Sequence, residues 1–366
     1  MHRIAVAVFA ALLLTCHGNV ATAQIGNTIV GVNQVGLAGV SKEQQESILT
    51  DMARAGVRWL RVPLHKPLPA TLSAIRIAQD KEIGILLNIS LNLSEFYEPG
   101  TPMRSGYKRV ENAYPISQIS VDRFRDVIST FWLDLERQRL KLLAVELGNE
   151  INWTFNGDLA VYQGQPGRTL NAGNVREFAA FKAGLNKYVE LASVISNVRA
   201  RSTVNKGTII LSAGLAQVRS AFVNHIGAEF VDASLTINIL EQRQLFRWVD
   251  GYAIHYYPQP GSTGQQIEND VKRTMHNCRP PTEKPCWITE WGVTNSSSSC
   301  PIDDRDREGL VRKTRAAFAR ESQKSLAGFF YFEWKGIGAR SQPAKSPRSI
   351  WRCDHLSSSG KAALAQ

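Results

Sequence analysis

The chain has 366 residues, of which 43% are hydrophobic and 20% are charged, and its formal net charge is +11 at pH 7. This length exceeds the usual single core, but barrels of strands and helices with loop insertions reach it. A basic protein can bind nucleic acid or another anionic polymer. Here the basic residues are dispersed and no nucleic-acid-reading motif is present, so we expect no nucleic-acid partner and take solubility as the simplest role of the charge.

The N-terminus predicts export. A positive flank, an apolar stretch and small residues ending at Ala23 make residues 1–23 a secretory signal peptide. We therefore expect a secreted or periplasmic protein whose mature part, residues 24–366, is one domain without a low-complexity linker. No later segment has the apolar length of a membrane span. Cys16 leaves a lipoprotein signal as the alternative, although a threonine is a poor residue before such a cysteine.

Apolar segments with strand character alternate with amphipathic helical segments along the rest of the chain. The predicted strands cover residues 28–36, 57–64, 83–91, 142–150, 207–215, 249–258, 285–293 and 327–336. The predicted helices cover residues 41–56, 70–81, 120–138, 174–202, 234–246, 264–277 and 306–323, and a short helical piece ends the chain. In the helix at 120–138 the apolar residues recur at helical spacing, and Ser41 is a candidate cap of the first helix.

This alternation predicts the fold class, a single (β/α)8 barrel of the TIM type. Nearly continuous apolar strands indicate burial on both faces, as in parallel sheets covered by helices. Eight strand–helix units on one core indicate a closed barrel. A doubly wound sheet is the alternative, but it would need a nucleotide-binding crevice. Neither G-x-G-x-x-G nor G-x-x-x-x-G-K-[ST] occurs in the chain.

Two glutamates occupy the strand ends at which barrels place their chemistry. Glu150 ends the fourth predicted strand in "ELGNE", and Glu290 lies at the end of the seventh in "WITEW". Those strands face each other across the barrel mouth. Glycoside hydrolysis needs two carboxylates, one to protonate the leaving oxygen and one to attack the anomeric carbon or activate water. Either glutamate alone would be interpreted as a solvated loop residue, whereas the pair favours a catalytic site.

These motifs resemble those of the clan A retaining glycoside hydrolases, especially families 5 and 39. In that clan an Asn-Glu pair ends strand four and a Glu ends strand seven, which correspond here to Asn149-Glu150 and Glu290. The resemblance implies that Glu150 is the acid/base and Glu290 the nucleophile. It follows the strand order of the whole barrel but is specific only at short motifs. Ile151 stands where family 5 commonly has proline, which leaves the exact family open.

The resemblance also assigns supporting roles. Asn149 would bind the sugar 2-hydroxyl, and Arg61 in "RVP" would keep the nucleophile ionised, because a nearby cation lowers a carboxylate pKa. His255 and Tyr257 in "HYY" would hydrogen-bond the acid/base or a sugar hydroxyl and the nucleophile, respectively. Trp334 in "FEWKG" would stack on a pyranose ring. A structural ion pair for Arg61, a satisfied core histidine and core packing of the tryptophan are the alternatives.

Other residues compete for these roles and rank lower. Trp153 and Trp291 follow the two glutamates closely and are further candidates for stacking on sugar. Glu146 lies four residues before Glu150, deeper in the barrel, where it would support Arg61 or a neighbour. Glu333 directly precedes Trp334 on the predicted strand, so its side chain should point the opposite way from the Trp334 ring.

The cysteines of the mature chain predict two disulfides, since an even number is typical of exported proteins. Three pairings are possible in principle. On the predicted barrel Cys278 and Cys286 bracket the turn into strand seven at the bottom, whereas Cys300 and Cys353 lie in adjacent loops at the top. Cross pairings would join opposite ends of the barrel, beyond disulfide reach. We therefore predict Cys278–Cys286 and Cys300–Cys353. No C-x-x-C occurs, and we expect neither a metal nor an organic cofactor.

The loops indicate the size and charge of the substrate. Long segments rich in polar residues follow strands three and four, as expected for the walls of a cleft that takes a poly- or oligosaccharide. A basic run follows strand eight: Lys335, Arg340, Lys345, Arg348 and Arg352. It makes an acidic polysaccharide a candidate substrate, with a solvated face as the alternative.

Together these observations predict an exported, monomeric, retaining glycosidase that hydrolyses O-glycosidic bonds by double displacement, with residues 24–366 as its catalytic domain. A transglycosylase on the same site and a non-catalytic carbohydrate-binding barrel are the alternatives. The sugar, the linkage and the choice between endo and exo action stay open.

Overall fold

The computed structural model describes residues 28–278, 284–295, 297, 300–337 and 346–365. The predicted signal peptide and Cys16 lie outside these ranges. Eight parallel strands form one sheet. They are β1 (Ile29–Asn33), β2 (Trp59–Pro63), β3 (Gly84–Ile89), β4 (Ala144–Leu147), β5 (Ile209–Leu211), β6 (Tyr252–Tyr256), β7 (Cys286–Trp291) and β8 (Leu326–Tyr331). Each overlaps one predicted strand, and the predicted (β/α)8 barrel is confirmed.

The sheet closes on itself. Its strands pair in the order β5-β4-β3-β2-β1-β8-β7-β6, and the two ends of this order meet through parallel bridges of Leu211 with Gly251 and of Leu215 with Ile254. The amide of His255 also donates to the carbonyl of Leu215 at 2.8 Å. Closure leaves no unpaired sheet edge and brings the carboxyl ends of all strands to one end of the barrel, the mouth.

Helices surround the sheet. They are α1 (Lys42–Arg54), α2 (Leu68–Asp80), α3 (Val121–Arg137), α4 (Val175–Ala200), α5 (Ser220–Ile226), α6 (Ala233–Gln242), α7 (Gly264–Cys278), α8 (Arg305–Ser322) and α9 (Ser358–Leu364). Ser41 caps α1 in a reciprocal capping box with Gln44. The sequence did not predict α5, because seven residues are too few for a periodic signal. Among the described residues no helix is long and apolar enough to cross a membrane.

The barrel interior has two layers. The lower one, called here the apolar layer, consists of buried side chains from six strands: Leu86, Ala144, Leu211, Ala253, Trp287 and Phe330. Two residues further along β3, β4, β6 and β7, the same inward faces carry Asn88, Glu146, His255 and Thr289. These four, with Asn33, Arg61 and Glu290, form the polar layer beneath the mouth, and all seven are buried.

A bulge in the β6–β7 pairing shapes the polar layer. Ile254 pairs with Ile288, but the next pair is His255 with Glu290, so that Thr289 has no counterpart. A bulge re-aims side chains, and such bulges are frequent beside active sites. Here it lets the consecutive residues Thr289 and Glu290 both reach groups inside the barrel.

Loops at the mouth carry small sheets that the sequence did not predict. Arg168–Leu170, in the segment after β4, pairs in parallel with Glu229–Val231, in the segment after β5. The carboxylate of Glu229 is buried and accepts from Arg168 at 2.7 Å and from Tyr162 at 2.6 Å. This parallel pair ties two long loops together on the β4–β5 side of the mouth. After β8, Trp351–Arg352 and His355–Leu356 form a short antiparallel hairpin.

Two disulfides link the outer elements. Cys278–Cys286 joins the end of α7 to the start of β7, and Cys300–Cys353 joins the segment after β7 to the hairpin after β8. In both, the Cα atoms lie 5.9 Å apart, within disulfide reach. This is the pairing that the sequence predicted.

Candidate active site

Arg61 is the centre of the polar layer. Its side chain is 4% exposed, and the guanidinium donates to four acceptors. It reaches Oε2 of Glu146 at 2.5 Å and Oε1 of Glu290 at 2.7 Å. It also reaches Oδ1 of Asn33 at 2.8 Å and Oδ1 of Asn149 at 2.7 Å. Both roles expected for Arg61, a structural ion pair and a cation beside Glu290, are present in its contacts.

Glu146 is fully buried, and its oxygens are occupied. Besides the Arg61 contact, Oε2 accepts from Asn88 at 3.0 Å, and Oε1 accepts from Thr289 at 2.6 Å. A buried carboxylate needs such partners, because an unpaired one is costly. Glu146 is therefore a support for Arg61, as its depth in the strand suggested.

Glu290 is buried, with each oxygen bonded to a different group. Oε1 accepts from Arg61 at 2.7 Å and Oε2 accepts from the Tyr257 hydroxyl at 2.8 Å. Burial opposes ionisation of Glu290, but His255, Arg61 and the Tyr257 hydrogen bond outweigh it, and its pKa lies below the ordinary value. Burial and the charge of Glu290 raise the pKa of Tyr257 well above its ordinary value, so the hydroxyl stays a donor.

Glu150 lies where the chain turns away from β4. Its backbone has φ +43°, two residues after Gly148 at φ +86°. Non-glycine residues rarely adopt this left-handed conformation, and such positions cluster at functional sites. The Glu150 amide donates to the carbonyl of Gly214 at 2.8 Å. The turn directs the carboxylate across the mouth, where its Oε1 lies 3.0 Å from Nδ1 of His255.

His255 lies between the two glutamates. Its Nδ1 is 3.0 Å from Glu150 and 3.6 Å from Glu290. Burial lowers the pKa of His255, but the two glutamates outweigh this and the net shift is upward. Close packing holds the ring. A Cβ at Gly214 would lie 2.2 Å from the His255 Nε2 and 2.5 Å from Oε1 of Glu146, so only glycine fits there.

One carboxylate oxygen of Glu150, one of Glu290 and a ring nitrogen of His255 lie within 4.8 Å of one another. Two carboxylates and an imidazole at this spacing could hold a metal ion. The Arg61 guanidinium already places a positive charge against Glu290. The same spacing also fits two carboxyl groups that act on the two sides of a single bond.

The expected sugar platform, Trp334, is not available in this structure. Its ring is 0% exposed and stacks on Trp351, with the ring centroids 5.0 Å apart and an interplanar angle of 24°. The amide of Trp351 donates to the carbonyl of Trp334 at 2.8 Å. The expectation of a stacking role is wrong for this structure, because the segment after β8 folds back and covers the indole with a second one.

The two lower-ranked tryptophans differ from each other. Trp291 is buried, with its ring edge-to-face against Tyr331 at 4.9 Å and Phe318 at 5.2 Å, which is core packing. Trp153 is half-buried and lies three residues after Glu150, and its ring centroid is 6.0 Å from that of Phe222. Among the three tryptophans considered, Trp153 is the one that is not fully buried.

Sequence reasoning missed Asn33, Asn88 and Thr289, which complete the hydrogen bonding of Arg61 and Glu146. The signal for two of them was available. Asn88 and Thr289 each follow an inward apolar residue by two positions, the period that keeps side chains on one face of a strand. The basic run after β8 is only partly described, since Arg340 and Lys345 lie outside the described residues.

No family model and no curated protein sequence matches the chain. Solved structures do match it. A structure from a description of two fungal β-1,4-galactanases shares 13% identity over 92% of this chain and 94% of its own, with a TM-score of 0.54. A GH5-4 broad-specificity endoglucanase from Clostridium acetobutylicum shares 12% identity over 93% of this chain and 98% of its own, with a TM-score of 0.56. A β-glucosidase from Thermotoga maritima shares 10% identity over 92% of this chain and 96% of its own, with a TM-score of 0.56.

The fold and the strand-end carboxylates thus define a class, the (β/α)8 barrels whose solved examples include glycoside hydrolases. With sequence identities of only 10–13%, these structural matches show a common fold. The resemblance to clan A glycoside hydrolases that the short motifs predicted is confirmed at that level.

Proposed function

We propose that the protein is a retaining glycoside hydrolase that cleaves O-glycosidic bonds with Glu290 as nucleophile and Glu150 as acid/base. The observation that carries the proposal is that one carboxylate oxygen of Glu150 and one of Glu290 lie within 4.8 Å of each other, on the facing strand ends of a barrel. Retaining enzymes place these groups about 5–5.5 Å apart, whereas inverting enzymes need about 6.5–9.5 Å to admit a water.

In the first step Glu290 attacks the anomeric carbon while Glu150 protonates the departing oxygen. The lowered pKa of Glu290 keeps it anionic for this attack. Arg61 and Tyr257, which both donate to Glu290, hold its carboxylate in place. In the second step Glu150 takes a proton from water, the water attacks the anomeric carbon, and the bond to Glu290 breaks.

Asn149 is oriented to help this reaction. Its Oδ1 accepts from Arg61 at 2.7 Å, and a guanidinium can only donate, so the amide orientation is determined. The amide NH2 group is then left to donate to a sugar 2-hydroxyl, a contact that strengthens in the transition state. We expect no metal requirement, because Arg61 supplies the positive charge at Glu290. Dialysis against a chelator should leave the activity unchanged.

Three of the structurally similar proteins are described as a β-1,4-galactanase, an endoglucanase and a β-glucosidase. Their names support glycans as the substrate class of this chain. The two disulfides and the signal peptide predicted for residues 1–23 support export to an oxidising compartment. We further propose that the protein acts as a monomer.

The test is a panel of polysaccharides with product masses as the readout, followed by NMR of the anomer released first. We expect the anomer of the substrate to be released. Glu290→Gln should lose nearly all turnover, because an amide cannot form the glycosyl–enzyme bond. Glu46→Gln, an exposed change on α1, is the matched control. Release of the opposite anomer would refute the retaining mechanism. Binding of a glycan without any cleavage would favour a carbohydrate-binding barrel. Transfer of the cleaved sugar to another sugar would favour a transglycosylase.

A further inference from the structure

Arg348 is a cation beside the site that no protein carboxylate neutralises within the described residues. Its guanidinium carbon lies 4.6 Å from the ring centroid of Tyr257 and 6.0 Å from that of Phe332. Its Nε is buried and has no hydrogen-bond partner. Aromatic rings fix the plane of a guanidinium through cation–π contact but do not use its N–H donors. Arg348 is therefore held in position by two aromatic rings, and its buried Nε is not used in a hydrogen bond with the described residues.

This position is one side chain away from Glu290. The Tyr257 ring that contacts Arg348 carries the hydroxyl that donates to Glu290 at 2.8 Å. The nearby carboxyl of Glu333 accepts from Ser346, and burial raises its pKa although Ser346 and the charge of Arg348 oppose the shift. Arg348 thus lies at the β6–β8 side of the mouth without an ion pair to a carboxylate among the described residues.

Within the described part of the chain, a second arginine also lacks a carboxylate partner. Arg104, in the segment after β3, donates to the carbonyl of Thr154 at 2.7 Å, four residues beyond Glu150. Its Nε and Nη1 are buried without hydrogen-bond partners. Burial lowers the pKa of Arg104 to about 10, so it is still cationic at neutral pH. Two guanidinium groups without a carboxylate partner among the described residues therefore contact Tyr257 and Thr154, which lie near Glu290 and Glu150 in the chain or in space.

A purely structural role explains these arginines poorly. Removing a charged group from water without an opposite charge costs free energy, and an apolar side chain of similar volume would pack at least as well. Arginine is the residue best suited to planar anions, because its fork of N–H groups matches a carboxylate or a sulfate bidentately.

We propose that the site takes an anionic glycan and that Arg348 binds the carboxylate or sulfate group of a sugar next to the one attacked by Glu290. This inference rests on the proposed hydrolase function and deepens it. Arg104 would contact a second anionic group of the polymer on the Glu150 side.

The first experiment changes the substrate and leaves the protein intact. Wild-type kcat/KM is measured on polygalacturonate and alginate, and on the same polymers after reduction of their carboxyl groups to alcohols. The same comparison is made for sulfate groups with a carrageenan and its desulfated form. We expect cleavage of an anionic polymer, with a loss of about 10- to 100-fold when its charge is removed. The carboxylate and sulfate arms identify which anion is bound.

The second experiment changes Arg348. Arg348→Gln should reduce kcat/KM on the cleaved anionic polymer by about 10- to 100-fold and change that on the uncharged form by less than about threefold. Arg348→Lys should recover part of the loss, since it keeps the charge but not the fork. The matched control is Arg247→Gln, an exposed arginine 5.8 Å from the Trp248 ring. Thermal unfolding of each variant checks the fold.

Each outcome decides one claim. Cleavage of neutral polymers alone overturns the anionic-glycan inference, while the hydrolase function stands. Equal losses on charged and uncharged polymers in Arg348→Gln overturn the role of Arg348. Failure to cleave any glycan in a Glu290-dependent way removes the proposed function itself. If Arg348→Gln does not fold, the substrate comparison on the wild type still decides the inference.

Discussion

The apolar and polar layers of the barrel interior come from the same strands, two residues apart, and follow opposite rules. In the apolar layer, side chains such as Leu86 and Trp287 contribute by excluding water and filling space. In the polar layer, Arg61 and Glu146 are equally buried but must satisfy every donor and oxygen. Among the described residues, unused bonding capacity remains at His255, whose buried Nε2 has no hydrogen-bond partner, and around the mouth. The pairing of Arg61 and Glu146 below therefore positions the groups above that are left to act.

After loss of the nucleophile itself, the largest effect should come from removing Glu150, the carboxylate that faces the mouth. We expect Glu150→Ala to lower kcat/KM by about 10³-fold on glycosides with poor leaving groups, because general acid catalysis is lost. On aryl glycosides with good leaving groups the loss should be much smaller. Added azide should restore turnover and give a glycosyl azide of retained configuration. An equal loss for all leaving groups, without azide rescue, would contradict the acid/base assignment.

Breaking the pairing of the polar layer should cost stability. Arg61→Met leaves Glu146 and Glu290 buried without their cation, and we expect a loss of about 3–5 kcal/mol in the free energy of unfolding at pH 7. The loss should shrink as the pH falls, because protonated carboxyls no longer need the cation. Denaturant unfolding at several pH values measures this. The double variant with Glu146→Gln should regain part of the loss, and a pH-independent loss would argue against an electrostatic cause.

The apolar layer should respond differently to a comparable truncation. Leu86→Ala leaves a cavity and should cost about 2–5 kcal/mol in the free energy of unfolding. That loss should stay constant between pH 4 and pH 8, because no titrating group gains or loses a partner. The pH dependence of denaturant unfolding, compared with that of Arg61→Met, separates the two layers. A loss that followed the pH in the same way would mean that the layers are not independent.

The smallest effect is expected from removing the Tyr257 hydroxyl, which donates a hydrogen bond to Glu290. Glu290 must be ionised to attack, so activity should fall as the pH drops through its lowered pKa. Tyr257→Phe removes one hydrogen bond that lowers this pKa, so the acidic limb of the kcat/KM profile should move to higher pH. At the optimum the rate should fall only several-fold. An unmoved acidic limb would show that the limb reports another group.

Several features of the site could be predicted because their signals are local. The apolar rhythm along each strand identified the barrel, and Glu150 and Glu290 stood at predicted strand ends. Cys300 and Cys353 could be paired because the strand order placed their loops together. In these cases the information lies within a short stretch, or in the order of such stretches.

The fate of Trp334 could not be predicted in this way. Its motif in "FEWKG" is the same whether the ring is open to a sugar or covered. Trp351, which stacks on it, comes from a segment beyond the strand. Nothing in the periodicity of either stretch encodes how that segment folds back.

By itself, the sequence determined the number and order of the strands, the level of the two glutamates at the mouth, and the disulfide pairing. Strand alternation and burial impose these properties on any chain with this pattern of apolar residues. Only the tertiary structure decided the bulge that places Glu290 beside His255, the cover over Trp334, and the seat of Arg348 on Tyr257. These depend on how distant segments pack, because contacts between side chains far apart in the chain are set by the closed barrel and not by local pattern.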